Sequence, residues 1–341
     1  MKKWIIVLFC AFMVSIMPVS AQEQFASAVE WSPDFSRLAI GYNGGGLAIF
    51  ETATDNPIRD FSLSTADIVH ITEIQWHPTE SNILAVIVRT IGQDEAYILN
   101  SANGEIIDIL EGFERQSPNF WVTNLSWNTE DNLLAVSIQI GIGSFSSSHQ
   151  VLIYDTQSMT SPELITVISE IPDSVAGLAW KPESSLLVIV SATGYFYVWD
   201  QNLASAGTFS VWDQDLTAID TRLQLPTGIS DVVWSVDGSL LAGVNTLRLV
   251  EQTIYIFDAE DWSYYTIPQP FGTSGIAWNS NSSEFVVNGG GGIVTIDARN
   301  GKILQQIYPN RVLNAVWNEN GAGILYAENS GVINEILFSS D

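Results

Sequence analysis

The sequence predicts an all-β chain, a seven-bladed β-propeller of four-stranded antiparallel blades, on three observations. Tryptophan recurs at Trp31, Trp76, Trp127, Trp180, Trp234, Trp278 and Trp317, at intervals of 45, 51, 53, 54, 44 and 39 residues. Each stands two places after an apolar residue (Val29, Ile74, Leu125, Leu178, Val232, Ile276, Ala315), which is the period of a strand. Turn residues follow, and a second apolar run opens seven or eight residues past the Trp. Repeats of about 40 to 50 residues indicate blades, because each blade has two apolar faces that only neighbouring blades can bury.

The first segment is not included in the repeat. Lys2 and Lys3 precede an apolar run from Trp4 to Met17, then Pro18 and the small residues Ser20 and Ala21. This is the pattern of a secretory signal cut after Ala21, and the run falls short of the roughly 20 residues that span a bilayer. Residues 1–21 are therefore expected to be a signal peptide and 22–341 a single propeller, secreted or periplasmic, with no membrane insertion after cleavage. Cys10 lies inside the signal, so the mature chain is expected to have no cysteine and hence no disulfide, thiol chemistry or thiolate metal site.

Within each repeat the elements follow in order. The inner strand ends at the Trp, and SPDFSR, HPTESN, KPESS and SVDGS turn the chain. The second strand is RLAIGY, ILAVIV, LLAVSI, LLVIVS, LLAGVN, FVVNG or ILYAE, and glycine-rich hairpins follow in several repeats. The third strand usually closes on an apolar residue and an acid, as in Phe50-Glu51, Tyr154-Asp155, Trp199-Asp200, Phe257-Asp258 and Ile296-Asp297. PIRDFSL and GKILQQIY read as outer strands.

This pattern resembles the WD-repeat family of β-propellers over residues 28 to 338, in a divergent, bacterial, exported form. The resemblance implies that each Trp sits on an inner strand and packs between blades. Trp199-Asp200 is the one literal Trp-Asp pair, and the family's Gly-His dipeptide before each inner strand is missing. The Ser-Pro-Asp turn is also similar to that of the periplasmic Tol propeller. In the family the N-terminal segment supplies the outer strand of the last blade. Here Gln22 to about Ser27 would remain for that task, which makes the seam between first and last blades the expected soft spot.

Charge narrows the function. The chain carries 12 Lys+Arg against 38 Asp+Glu, and loss of the signal leaves 10 against 38, a net charge of −28. Such a surface repels phosphate backbones, so nucleic acid is not an expected partner. No catalytic constellation stands out. The histidines His70, His77 and His149 are expected in three different connections, and glycine runs such as Gly289 to Gly292 sit between strands with no following helix. No metal or cofactor is expected, and no enzyme.

Two groups of residues remain. Aromatics outside the repeat core, Phe113, Phe120, Trp121, Phe209, Trp212, Trp262, Tyr264, Tyr265 and Phe271, fall in long connections; they are candidate protein-binding anchors, or else cover blade edges. The residues three before each Trp include Glu73, Asn124, Asp231 and Asn314, which could converge at the channel mouth and hold a hydroxylated ligand or Ca²⁺, or simply hydrate a funnel. The expected function is a non-catalytic, monomeric platform for a protein partner. The alternative is a hydrolase or lyase acting on a sugar or lactone, with Glu73 and Asp231 as acid and base.

Overall fold

The computed structural model describes residues 26–51, 57–63, 68–90, 94–110, 120–142, 146–171, 173–191, 193–200, 223–224, 228–245, 253–269, 271–309, 312–318, 321–328 and 333–338. The signal segment expected over 1–21 lies outside them. The described residues form a seven-bladed β-propeller of antiparallel sheets.

Blade 1 is β1 (Ala26–Trp31), β2 (Arg37–Tyr42), β3 (Gly46–Glu51) and β4 (Pro57–Ser62). Blade 2 is β5 (Ile68–Trp76), β6 (Ile83–Thr90), β7 (Asp94–Asn100) and β8 (Ile106–Ile109). Blade 3 is β9 (Phe120–Trp127), β10 (Leu133–Ile142), β11 (Ser146–Asp155) and β12 (Glu163–Ile171). Blade 4 is β13 (Val175–Trp180), β14 (Leu186–Ser191), β15 (Tyr195–Asp200) and β16 (Leu223–Gln224). Blade 5 is β17 (Asp231–Trp234), β18 (Leu240–Val244), β19 (Thr253–Asp258) and β20 (Tyr264–Pro268). Blade 6 is β21 (Thr273–Trp278), β22 (Glu284–Gly289), β23 (Gly292–Asp297) and β24 (Ile303–Ile307). Blade 7 has three strands among the described residues, β25 (Val312–Trp317), β26 (Gly323–Glu328) and β27 (Ile333–Leu337).

Each repeat Trp ends an inner strand, and the residue after it closes the turn. Ser32 and Ser235 accept the N–H of Arg37 and Leu240 on their hydroxyls. Asn128 accepts from Glu130 and Asp131, Asn279 from Ser283 and Glu284, and Asn318 from Gly323. His77 does the same through Nδ1, which accepts the Glu80 N–H at 3.0 Å. A left-handed residue completes several of these turns, at Phe35, Gly238, Ser282 and Gly321, as a type I turn with a bulge requires. The acids that end the third strands have a matching role: Asp155, Asp258 and Asp297 accept the N–H two residues on, forming Asx turns.

Apolar clusters lie between successive blades. Leu84, Val86 and Trp76 meet Leu47 and Ile49 between blades 1 and 2, and Tyr154, Leu152 and Trp127 meet Ile87 and Ile98 between blades 2 and 3. The Trp indoles add a polar rung. Trp76, Trp180, Trp234 and Trp278 each donate Nε1–H, at 3.1 Å, to the carbonyl of the residue before the preceding blade's Trp: Glu30, Ser126, Ala179 and Val233. The indole N–H groups of Trp31, Trp127 and Trp317 are buried with no such partner among the described residues.

Among the described residues, the ring closes between blades 7 and 1 by packing and by a hydrogen bond. Asn314 Nδ2 donates to the Val29 carbonyl at 2.9 Å. The cluster there takes its fully buried members from blade 1 alone, with Val316 and Leu325 of blade 7 only partly buried against it. Ala26 and Ser27, expected in a closing outer strand, instead belong to the inner strand β1, because Ala26 pairs with Tyr42. The remainder of that expected segment, residues 22–25, lies outside the described residues.

Candidate functional site

The inner strands line a central cavity of about 460 Å³. Glu73 on β5, Asn124 on β9, Asp231 on β17 and Asn314 on β25 all line it, so the position three before the Trp converges in these blades. Gly177, the equivalent on β13, has no side chain to contribute. Glu30 on β1 and Gln75 on β5 also line the cavity from the position just before the Trp. Sequence reasoning missed both, although positions one and three before the Trp share a strand face by the same period-two rule.

The two asparagines are committed to the ring. Asn124 Nδ2 donates to the Ala176 carbonyl of blade 4 at 3.2 Å, and Asn314 reaches blade 1 as described above. Asn288 has the same role on the adjacent strand, accepting from Ala315 N–H and donating to the Leu313 carbonyl, both at 3.1 Å. Gly275 must be glycine for this clamp, since a Cβ there would stand 2.9 Å from Asn288 Oδ1.

The carboxylates remain. Glu73 Oε1 accepts the Leu125 N–H of blade 3 at 3.0 Å. Asp231 is exposed on the cavity wall, and Glu30 and Glu73 are half-buried there. Burial pushes Glu30 up to about 8, helped by the negative charge of Asp231. Burial also raises Glu73 to about 8 against the pull of the Leu125 hydrogen bond, with Asp231 and Glu30 adding to the rise. Asp231 rises to about 6 by burial, opposed by a bond to the Val232 backbone. Among the described residues, no Lys, Arg or His lines this cavity.

The aromatic group does not assemble as expected. Second-to-third hairpins and outer-to-inner connections share one face of a propeller, whereas third-to-outer turns lie on the other. Trp262 occupies the turn between β19 and β20, on that other face, and is only 8 % exposed. Its ring packs at 5.2 Å from Phe196 and 5.9 Å from Trp234, so it is core. Phe120, 3 % exposed, is buried in the cluster between blades 2 and 3. Tyr264 packs on Tyr255 and Phe257, at 5.7 and 5.4 Å. Tyr265 is half-exposed beside it, its hydroxyl donating to the Ala298 carbonyl of blade 6. Phe271 packs against the cluster between blades 5 and 6. Trp121 and Tyr265 are each 37 % exposed, Tyr265 on the outer strand β20 and Trp121 on the face of the long hairpins, paired with Gln139. Phe113, Phe209 and Trp212 lie outside the described residues.

Two expected connections are partly strand. His70 lies in β5 and His149 in β11, leaving His77 as the histidine in a turn. The second-blade hairpin is pinned by Arg89, which holds Asp94 with two 3.1 Å bonds. His149 Nε2 lies 2.9 Å from Ser147 Oγ, but Asp173, the nearby carboxylate, is engaged by Thr193 and Ser174. His149 Nδ1 is buried with no hydrogen-bond partner among the described residues, so no acid orients the ring. Among the described residues, no three His, Cys, Asp or Glu side chains are placed to hold a metal ion.

No protein-family model matches the chain, and no curated protein matches it. The seven-bladed β-propeller is therefore the class that the fold itself defines.

Proposed function

We propose that the protein is an exported, monomeric binding platform with no chemistry of its own, a divergent relative of the WD-repeat propellers whose partner is a protein. The observation that carries this reading is the pairing of a rigid ring, cross-braced by indole and asparagine bonds between blades, with an exposed Trp121 on the face of the long hairpins. Rigid elements holding variable loops on one plane suit recognition, and exposed Trp is a favoured anchor. Capture from the native envelope or secreted fraction, with the mature chain and a folded Trp121→Ala variant side by side, tests it. A partner held by the parent and lost from the variant supports the reading; retention of nothing by either removes it.

One observation favours the alternative, a propeller hydrolase or lyase acting on a sugar or lactone. Glu73 and Asp231 share a cavity that holds their carboxyl groups at different acidities, about 8 and about 6, as a general acid and a general base need. Turnover of a panel of aryl glycosides and lactones by the parent, abolished in Asp231→Asn, would establish that chemistry. No turnover by the parent leaves the platform.

A further inference from the structure

We propose that the outer edge of blade 3, strand β12, receives an extended segment of the protein partner, which joins the sheet as a fifth strand with apolar residues at alternate positions and a lysine or arginine opposite Glu163. The inference rests on the platform reading and names a contact, and its chemistry, separate from Trp121.

The outer strand of a blade presents unpaired N–H and C=O groups, and proteins blunt such edges with short strands, proline or lysine. Among the described residues, five of the six outer strands follow that rule. β8 has four residues and β16 two. β4 opens on Pro57, β20 closes on Pro268, and the exposed Lys302 stands directly before β24. β12 is the exception. It has nine residues, Glu-Leu-Ile-Thr-Val-Ile-Ser-Glu-Ile, with neither proline nor lysine, and among the described residues it pairs with β11 alone.

Its outward surface is apolar as well. Val167 stands opposite Leu152 and Leu164 opposite Tyr154, and both partners belong to the cluster between blades 2 and 3, so this face of β12 looks toward blade 2. Ile165 is the extra residue of the bulge beside Leu164. The short β8 brings Ile107 to that cluster and leaves Ile165 and Val167 uncovered, at 44 % and 45 % exposed. Bulges bend β12 on either side of a regular stretch at residues 166–168, so the incoming segment is short and centred there.

Charge selects the occupant. Glu163 stands directly opposite Asp155, and like charges so placed repel. Glu163 is exposed, and neither acid has an ion-pair partner among the described residues. A cation on the added strand relieves that repulsion, and the net charge of −26 draws a basic segment from a distance. The same charge opposes a second copy of the chain at this edge. Backbone pairing supplies affinity in such strand addition, while alternate side chains supply specificity.

The test is titration of the full chain with the peptide acetyl-Lys-Val-Thr-Val-Thr-Val-Lys-amide, followed by calorimetry and by hydrogen exchange. The expected result is binding that slows exchange in β12 and is weakened at least about tenfold in the double variant Ile165→Lys, Val167→Lys. A melting curve shows whether that variant is folded. Ile165→Thr with Val167→Thr, which keeps strand propensity and charge, should weaken binding in the same direction. Replacing both lysines of the peptide by glutamate should cost at least about tenfold, and so should N-methylation at one of its two alternate sets, valines or threonines. Absence of binding by the parent overturns the proposal, as does equal binding of the glutamate peptide or of both methylated forms. Binding unchanged in the variants, or protection that misses β12, overturns it too. Self-association of the parent in sedimentation, abolished by the lysine variant, would make a second copy the occupant and also overturn it. If a partner is captured through Trp121 while the peptide fails to bind, the edge proposal alone falls. Should the peptide bind at β12 and no partner be captured, the platform reading falls and the edge site stands.

Discussion

Trp180 and Trp127 occupy the same place in neighbouring blades, and the difference between them isolates one hydrogen bond. Trp180 donates to the Ser126 carbonyl, while the Trp127 indole N–H is buried with no partner among the described residues and the His77 ring packs against Trp127 at 4.6 Å and a steep angle. With Nδ1 accepting from Glu80, the His77 imidazole is the tautomer that carries its proton on Nε2. Trp→Phe keeps most of the packing and deletes the donor. At Trp180 it should cost about 1 kcal/mol more than at Trp127, where removing an unpaired buried donor offsets some of the packing loss. Denaturant melts of both variants check this, and equal costs would mean that the indole bond contributes nothing. Truncation to Ala separates core from surface: about 3 to 5 kcal/mol at Trp180 and at Trp262, and within about 0.5 kcal/mol at Trp121. The repeat itself identifies Trp180 as core. The local sequence around Trp262, Asp-Trp-Ser-Tyr-Tyr, reads instead as a decorated loop, and only packing against Phe196 and Trp234 shows that this Trp is a plug.

At the scale of strands and blades, the seam between blades 7 and 1 is the weak joint. Its cluster is one-sided, Trp31 lacks the indole rung that would reach blade 7, and Asn314 to Val29 is a cross-bond among the described residues. Opening free energies follow the density of buried contacts and satisfied bonds. Hydrogen exchange should therefore be faster in β25 to β27 than in β13 to β15, and Asn314→Ala should widen that gap while leaving blade 4 unchanged. Uniform exchange around the ring would contradict the seam. The strand pattern was legible because period-two alternation and the Ser, Asn and Asp turns are local chemistry. The ends of the hairpins were not. IGIGSFSSSH reads as an expanded loop, yet ten-residue β10 and β11 carry the ladder through it to Ile142 and Ser146, since pairing between distant residues decides where a strand stops.

Across the whole molecule the channel acids set how stability depends on pH. Glu30 and Glu73 near 8 and Asp231 near 6 in the folded chain sit above the ordinary carboxylate range they regain on unfolding. A raised folded pKa means that the folded state holds the proton more tightly. Their contribution is therefore complete below about pH 4 and is lost as pH rises through about 6 to 8. Burial lowers the three histidines, whose own contribution is complete above about pH 7, so the window from there to about pH 9 reports the channel. The melting temperature should fall across that window in the parent and stay flatter in Glu30→Gln with Glu73→Gln. Identical slopes would show that the cavity is wet enough to leave these groups ordinary.

By itself the sequence determined the number of blades, the order of strands, the turn chemistry and the position three before each Trp from which the channel is lined. These are local and periodic properties, written in side-chain alternation and in hydrogen bonds that span a few residues. Tertiary structure alone decided which polar residues stay free. It commits Asn124 and Asn314 to neighbouring blades, buries Phe120 and Trp262, and leaves Trp121 exposed. It also gathers Glu30, Glu73 and Asp231, from positions up to 201 residues apart, into one cavity with no Lys or Arg among its described lining residues. The physical reason is that the charge balance of a cavity depends on every strand that borders it, and a repeat read one copy at a time contains no record of what stands across the ring.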